Sequence, residues 1–157
     1  MRSASVQDIK QELSQMPAKD LVNLCLRLAR FKKENKELLT YLLFEAHDEA
    51  GYIKEVKEEM DQHFEEINRS HFYFIKKSLR KILRIVTKHV RYMGSKQAEA
   101  DLLIHFCVRF QEMNIPYEQS PMLLNLYNTQ IKKLQATIKG LHEDLQYDYL
   151  RQLSKFV

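Results

Sequence analysis

Residues 71–93 read HFYFIKKSLRKILRIVTKHVRYM. Ile75, Leu79, Ile82, Leu83, Val86, Val90 and Met93 return at steps of three and four, the period of one face of an α-helix and not the alternation of a strand. A second set, Lys76, Arg80, Arg84, Lys88 and Arg91, recurs at nearly the same steps on another side and is thickened by Lys77 and Lys81. Gly94 follows at once, the residue that most readily takes the left-handed cap at a helix end, and Ser95 can cap the next helix. The segment therefore predicts an amphipathic helix with a defined end and a cationic face.

The same period extends in both directions. Upstream, Leu39, Leu42, Ala46, Ala50, Ile53, Val56, Met60, Phe64 and Ile67 keep it from about residue 34 to 67, so a continuous or gently kinked helix is expected through Gly51. Downstream, Leu102, Leu103, Phe106, Cys107 and Phe110, with Ile104 and Val108, predict a helix buried on most sides. Ser120 and Pro121 then supply a cap and a first-turn proline. From there Leu124, Tyr127, Ile131, Leu134, Ile138, Leu141 and Leu145 form a heptad seam that runs through Gly140, which predicts one long terminal helix. At the other end Ser5 and Asp8 read as a capping box for a helix over about residues 6–15. Pro17 fits the first turn of a second helix, with Leu21, Leu24, Cys25, Leu28 and Phe31 on one side and Val22, Leu26 and Ala29 on the other.

Only three glycines and three prolines punctuate 157 residues, too few for the turns of an all-β domain. The reading is all-α: an irregular helical bundle of about six helices in a single domain over residues 1–157, with a long central hairpin and a long C-terminal helix. Leu24, Leu28, Leu42, Ile82, Leu103, Phe106, Phe110 and Leu134 are its expected core. The opening segment, residues 9–13 (IKQEL), 20–26 (DLVNLCL) and 36–42 (KELLTYL), resembles a group of bacterial all-helical proteins of unknown function. That resemblance implies a bacterial helical protein and carries no activity.

Charge is segregated along the hairpin. Residues 45–68 hold nine acids against Lys54 and Lys57, net −7, and residues 69–96 hold nine bases and no acid, net +9. Folding back near Asn68 to Ser70 would set Asp61 by Lys77, Glu58 by Arg80, Glu55 by Arg84 and Glu49 by Lys88, so the stripe is expected to neutralise itself. Left open to water, the same stripe would suit the closely spaced phosphates of a nucleic acid.

Signatures of chemistry are lacking. Three isolated glycines cannot build a phosphate-binding loop, a dinucleotide fingerprint or a nucleophile elbow. Glu59, His63 and Glu66 share a helix face but have no second ligand pair elsewhere, and a solvated acidic face is the preferred reading. Cys25 and Cys107 lack zinc or disulfide spacing and sit on apolar faces, so both are expected to be buried structural thiols. His105 and Cys107, two apart, diverge on a helix and cannot act as base and nucleophile. No catalytic residue, metal or cofactor is assigned.

With no signal-peptide pattern and no apolar run of membrane-spanning length, a cytoplasmic location without membrane contact is expected. The expected function is a non-enzymatic interaction or self-association domain that holds a protein partner or a second copy through the seam Leu124 to Leu145. The alternative is a nucleic-acid-binding module using Lys76, Lys77, Arg80, Lys81, Arg84, Lys88 and Arg91.

Overall fold

Helix starts that the sequence marks with a polar side chain are capped as expected in the computed structural model, which describes residues 1–157. Ser5 Oγ accepts from the Asp8 N–H and the Asp8 carboxylate accepts from the Ser5 N–H, a reciprocal box opening α1 (Val6–Gln15). Ser95 and Ser120 cap α6 (Lys96–Glu112) and α7 (Pro121–Lys139) by accepting from Ala98 and Leu123 N–H. Gly94, at φ 60°, closes α5 (Phe72–Met93) in the left-handed conformation. The other helices are α2 (Ala18–Phe31), with Pro17 at its N-cap one position before the first turn, α3 (Lys33–Thr40), α4 (Glu49–Glu65) and α8 (Glu143–Leu153). A π-helical turn (Tyr41–Glu45) and a 3-10 turn (Tyr117–Gln119) complete the chain, and there is no strand.

Eight helices stand where about six are expected because both long helices are broken. The upstream one breaks over residues 46–48 and not at Gly51, since Asp48 caps α4 and accepts from Gly51 N–H at 3.0 Å. Gly51 serves that cap: a Cβ there would collide with the Asp48 carboxylate. The terminal helix ends at Lys139. Gln146 Nε2 donates to the exposed carbonyls of Lys139 and Leu141 at 3.3 and 2.8 Å, and His142 Nδ1 accepts from Asp144 N–H to start α8. Capped from both sides, the break costs little, and the heptad register does not carry across it.

Contacts divide the chain into two compact units, residues 1–45 and 46–157. The larger is built around α6, which packs against α4, α5, α7 and α8. Met60, Phe64, Ile75, Leu79, Ile82, Leu102, Leu103, Phe106, Phe110, Leu123, Leu134 and Ile138 are all buried. Aromatic rings order one end of this core, with Phe110 stacked on Tyr127 at 4.7 Å and edge-on to Tyr117 at 5.0 Å. Five of the eight expected core residues lie here, including Phe106 at 0% exposure.

The other three do not belong to a core. Leu24 is only partly covered, and Leu28 and Leu42 are 50% and 56% exposed. The smaller unit packs α2 on α3, joined by Asn35 Nδ2 donating to the Leu28 carbonyl, and two short helices cannot cover a helix that is apolar on both sides.

Cys25 is exposed, against expectation, for the same reason. Cys107 is buried on α6, and loss of solvent pushes its thiol up to about 12. An aromatic disulfide reagent at neutral pH is expected to titrate one thiol in the native protein and the second only after denaturation. Replacing Cys25 with Ser should abolish the native reaction.

Candidate nucleic-acid interface

The position of the cationic stripe follows from what α5 buries. Ile75, Leu79, Ile82 and Val86 point into the core, so Lys77, Arg80, Lys81, Arg84 and Arg91, on the other side of the helix, are exposed and Lys76 is partly so. The expected pairing with α4 is not formed. Asp61, expected beside Lys77, turns to α6 instead, where His105 Nε2 lies 2.7 Å and Arg109 Nε 3.0 Å from its Oδ1. That oxygen is taken by His105, and the Arg109 Nε–H is not aimed at it, so the second contact is one of charge rather than a directed hydrogen bond. Glu59 approaches His89 Nε2 at 3.1 Å, and His89 Nδ1 lies 2.6 Å from the Tyr52 hydroxyl. None of Glu49, Glu55 or Glu58 is in an ion pair, and neither are Lys76, Lys77, Arg80, Lys81, Arg84 or Arg91. Helix phase is the cause: the flank of α5 turned to α4 carries His89, while the cations lie around the back of the helix.

One edge of that cationic face borders α7. Between the two helices runs an open groove of about 620 Å³, lined by Lys76, Arg80 and Arg84 from α5, by Asn125, Thr129 and Gln130 from α7, and by the apolar side chains of Leu83, Met122 and Leu126. Neither helix contains an acid: α5 carries seven Lys or Arg residues and α7 carries Lys132, Lys133 and Lys139, of which Lys133 is paired with Glu99 at 3.2 Å. Chemically the groove offers fixed positive charge, amide and hydroxyl groups that both donate and accept hydrogen bonds, and a larger share of apolar surface. Such a surface suits a polyanion that also bears polar, uncharged groups.

The heptad seam is spent inside the fold. Tyr127, Ile131, Leu134 and Ile138 are buried in their own unit's core, Leu124 is partly covered, and Leu141 and Leu145 beyond the break pack against the same core. Glu59, His63 and Glu66 do not converge, Glu59 being held by His89 and His63 lying 4.0 Å from Glu66. His105 and Cys107 part as expected, one toward Asp61 and the other into the core.

Two features of the site escape a reading centred on α5. Asn125, Thr129 and Gln130 gain meaning only once α7 lies beside α5, although the absence of any acid from residue 119 to 142 is visible in the sequence. Tyr73, 63% exposed at the start of α5, falls on the face of Lys77, Arg80, Arg84 and Arg91 by spacing alone. No family model matches this chain, and neither a curated protein nor a solved structure is similar to it. No helix is long and apolar enough to cross a membrane.

Proposed function

We propose that residues 46–157 form a non-enzymatic nucleic-acid-binding module whose contact surface is the outer face of α5 and the adjoining groove with α7. One observation carries this reading: six cations, Lys76, Lys77, Arg80, Lys81, Arg84 and Arg91, are concentrated on one helix without an ion-pair partner, beside a second helix that has no acid. Concentrated like charge repels itself and destabilises the compact state, and a helix that only needed solubility would mix signs. A phosphate backbone relieves the repulsion and releases its own counterions. With five or six phosphates engaged, log K should fall against log salt with a slope of about −3.5 to −4 for a single strand and about −4.5 to −5.5 for a duplex. A gel-shift titration of labelled oligonucleotides over a salt series tests this. A complex that is absent at low salt, or insensitive to salt, would contradict the assignment.

A second reading concerns residues 1–45 and rests on a separate observation. Val22, Leu26, Leu28, Phe31, Leu42, Leu43 and Phe44 are all exposed, a concentration of large apolar side chains open to water within 45 residues. This supports a protein-interaction or self-association surface in that unit. Light scattering over a concentration series is expected to show association that Phe31→Glu with Leu43→Glu removes, and a concentration-independent monomer would count against self-association.

A further inference from the structure

The N-terminal end of α5 carries three rings together. Tyr73 and Phe74 meet edge-on with centroids 5.6 Å apart, and His71 lies 5.8 Å from Phe74. Tyr73 is 63% and Phe74 39% exposed, and His71 is exposed as well. Large rings left in water at one end of a helix whose other outward positions are cationic, Thr87 excepted, ask for a ligand with flat faces as well as charge. Tyr73, Lys77, Arg80, Arg84 and Arg91 follow at steps of four, three, four and seven, so they form one straight row. That row extends about 27 Å along the axis at 1.5 Å per residue.

The terminal ring discriminates between nucleic acids. A duplex can seat a helix in its major groove, but its bases are stacked on one another and offer no face to a ring. A single strand can run straight along the row, place phosphates at successive cations and turn a base onto the Tyr73 ring. The amides Asn125 and Gln130 and the Thr129 hydroxyl across the groove then face the Watson–Crick edges of unpaired bases, which a duplex keeps engaged in pairing.

We infer that the ligand of this surface is single-stranded nucleic acid, gripped by the α5 cations and stacked at its end on Tyr73. This rests on the nucleic-acid reading above and deepens it.

The test uses the full chain, fluorescence anisotropy, a labelled oligothymidylate of about 12 nucleotides and a hairpin duplex of similar charge. The single strand is expected to bind at least about tenfold more tightly than the duplex. Tyr73→Ala should weaken the single strand by about tenfold, leave the duplex unchanged and leave the salt slope unchanged, because it removes stacking and no charge. Tyr73→Phe should bind as the unaltered protein does. The chain has no tryptophan, so Tyr73→Trp installs a single probe whose emission should be quenched by the single strand and not by the duplex. Equal binding of the two forms, or single-strand affinity untouched by Tyr73→Ala, would overturn the inference while leaving a salt-dependent charge interaction standing. Failure of both oligonucleotides to bind at low salt would overturn the inference and the nucleic-acid reading together.

Discussion

Reversing Lys76, Arg80 and Arg84 together to Glu is expected to reduce oligonucleotide affinity by more than about 100-fold and to flatten the salt slope by about two to three units, because each phosphate left without its cation keeps its own counterions. Folding should not suffer. Arg80 and Arg84 are exposed, none of the three has an acid partner, and Glu is as good a helix former as the residues it replaces. The change also sets opposite charges beside Lys77, Lys81 and Lys88, which relieves like-charge repulsion along the helix. The melting temperature should therefore hold or rise slightly. Had the stripe been paired with Glu55 and Glu58 of α4, the same variant would have placed acids against acids and reduced stability. Melting and binding measured on one preparation distinguish the two arrangements.

Phe106→Ala is expected to act in the opposite way, costing about 3 to 5 kcal/mol of stability and lowering the melting temperature by about 10 °C or more. Phe106 is wholly buried at the centre of α6, 5.6 Å from the Phe64 ring and 6.3 Å from Phe110, and the surrounding helices cannot all collapse into the space it leaves. Calorimetry of the unaltered and variant chains measures it. A loss below about 1 kcal/mol would mean that α6 is not the centre of the larger unit.

Features legible in the sequence are those whose physics is local. Ser5, Ser95 and Ser120 reach a backbone N–H three residues away, and Gly94 needs only its own φ, so these boundaries stand where the sequence places them. The breaks at residues 46–48 and 140–142 are hidden because the apolar period runs on through both. Asp48 looks like one more acid in an acidic helix, and Gln146 shows itself as a cap only after Lys139 has become a helix end. Burial on α2 is hidden for another reason. Apolar residues on two sides signal a buried helix only if neighbours exist to bury it, and residues 1–45 provide only short ones.

The site was half legible. Spacing gives the α5 stripe, but counting charges along a hairpin gives pairing register and not helix phase. Phase is set by which residues enter the core: Met60 points inward, and Asp61, one position on, turns toward His105 and Arg109 on α6, away from Lys77. The same geometry leaves the cations in water and brings α7 beside them, a juxtaposition of residues about 45 positions apart that no local pattern encodes.

The surface itself can be located by backbone amide chemical shifts of the labelled full chain during titration with oligothymidylate at low salt. Perturbed resonances are expected to cluster at residues 71–91, in and just before α5, and at residues 122–130 of α7, with α4, α8 and residues 1–45 unmoved, and added salt should reverse them. Perturbations centred on residues 1–45 or on α4, or spectra unchanged at saturating oligonucleotide, would contradict that assignment.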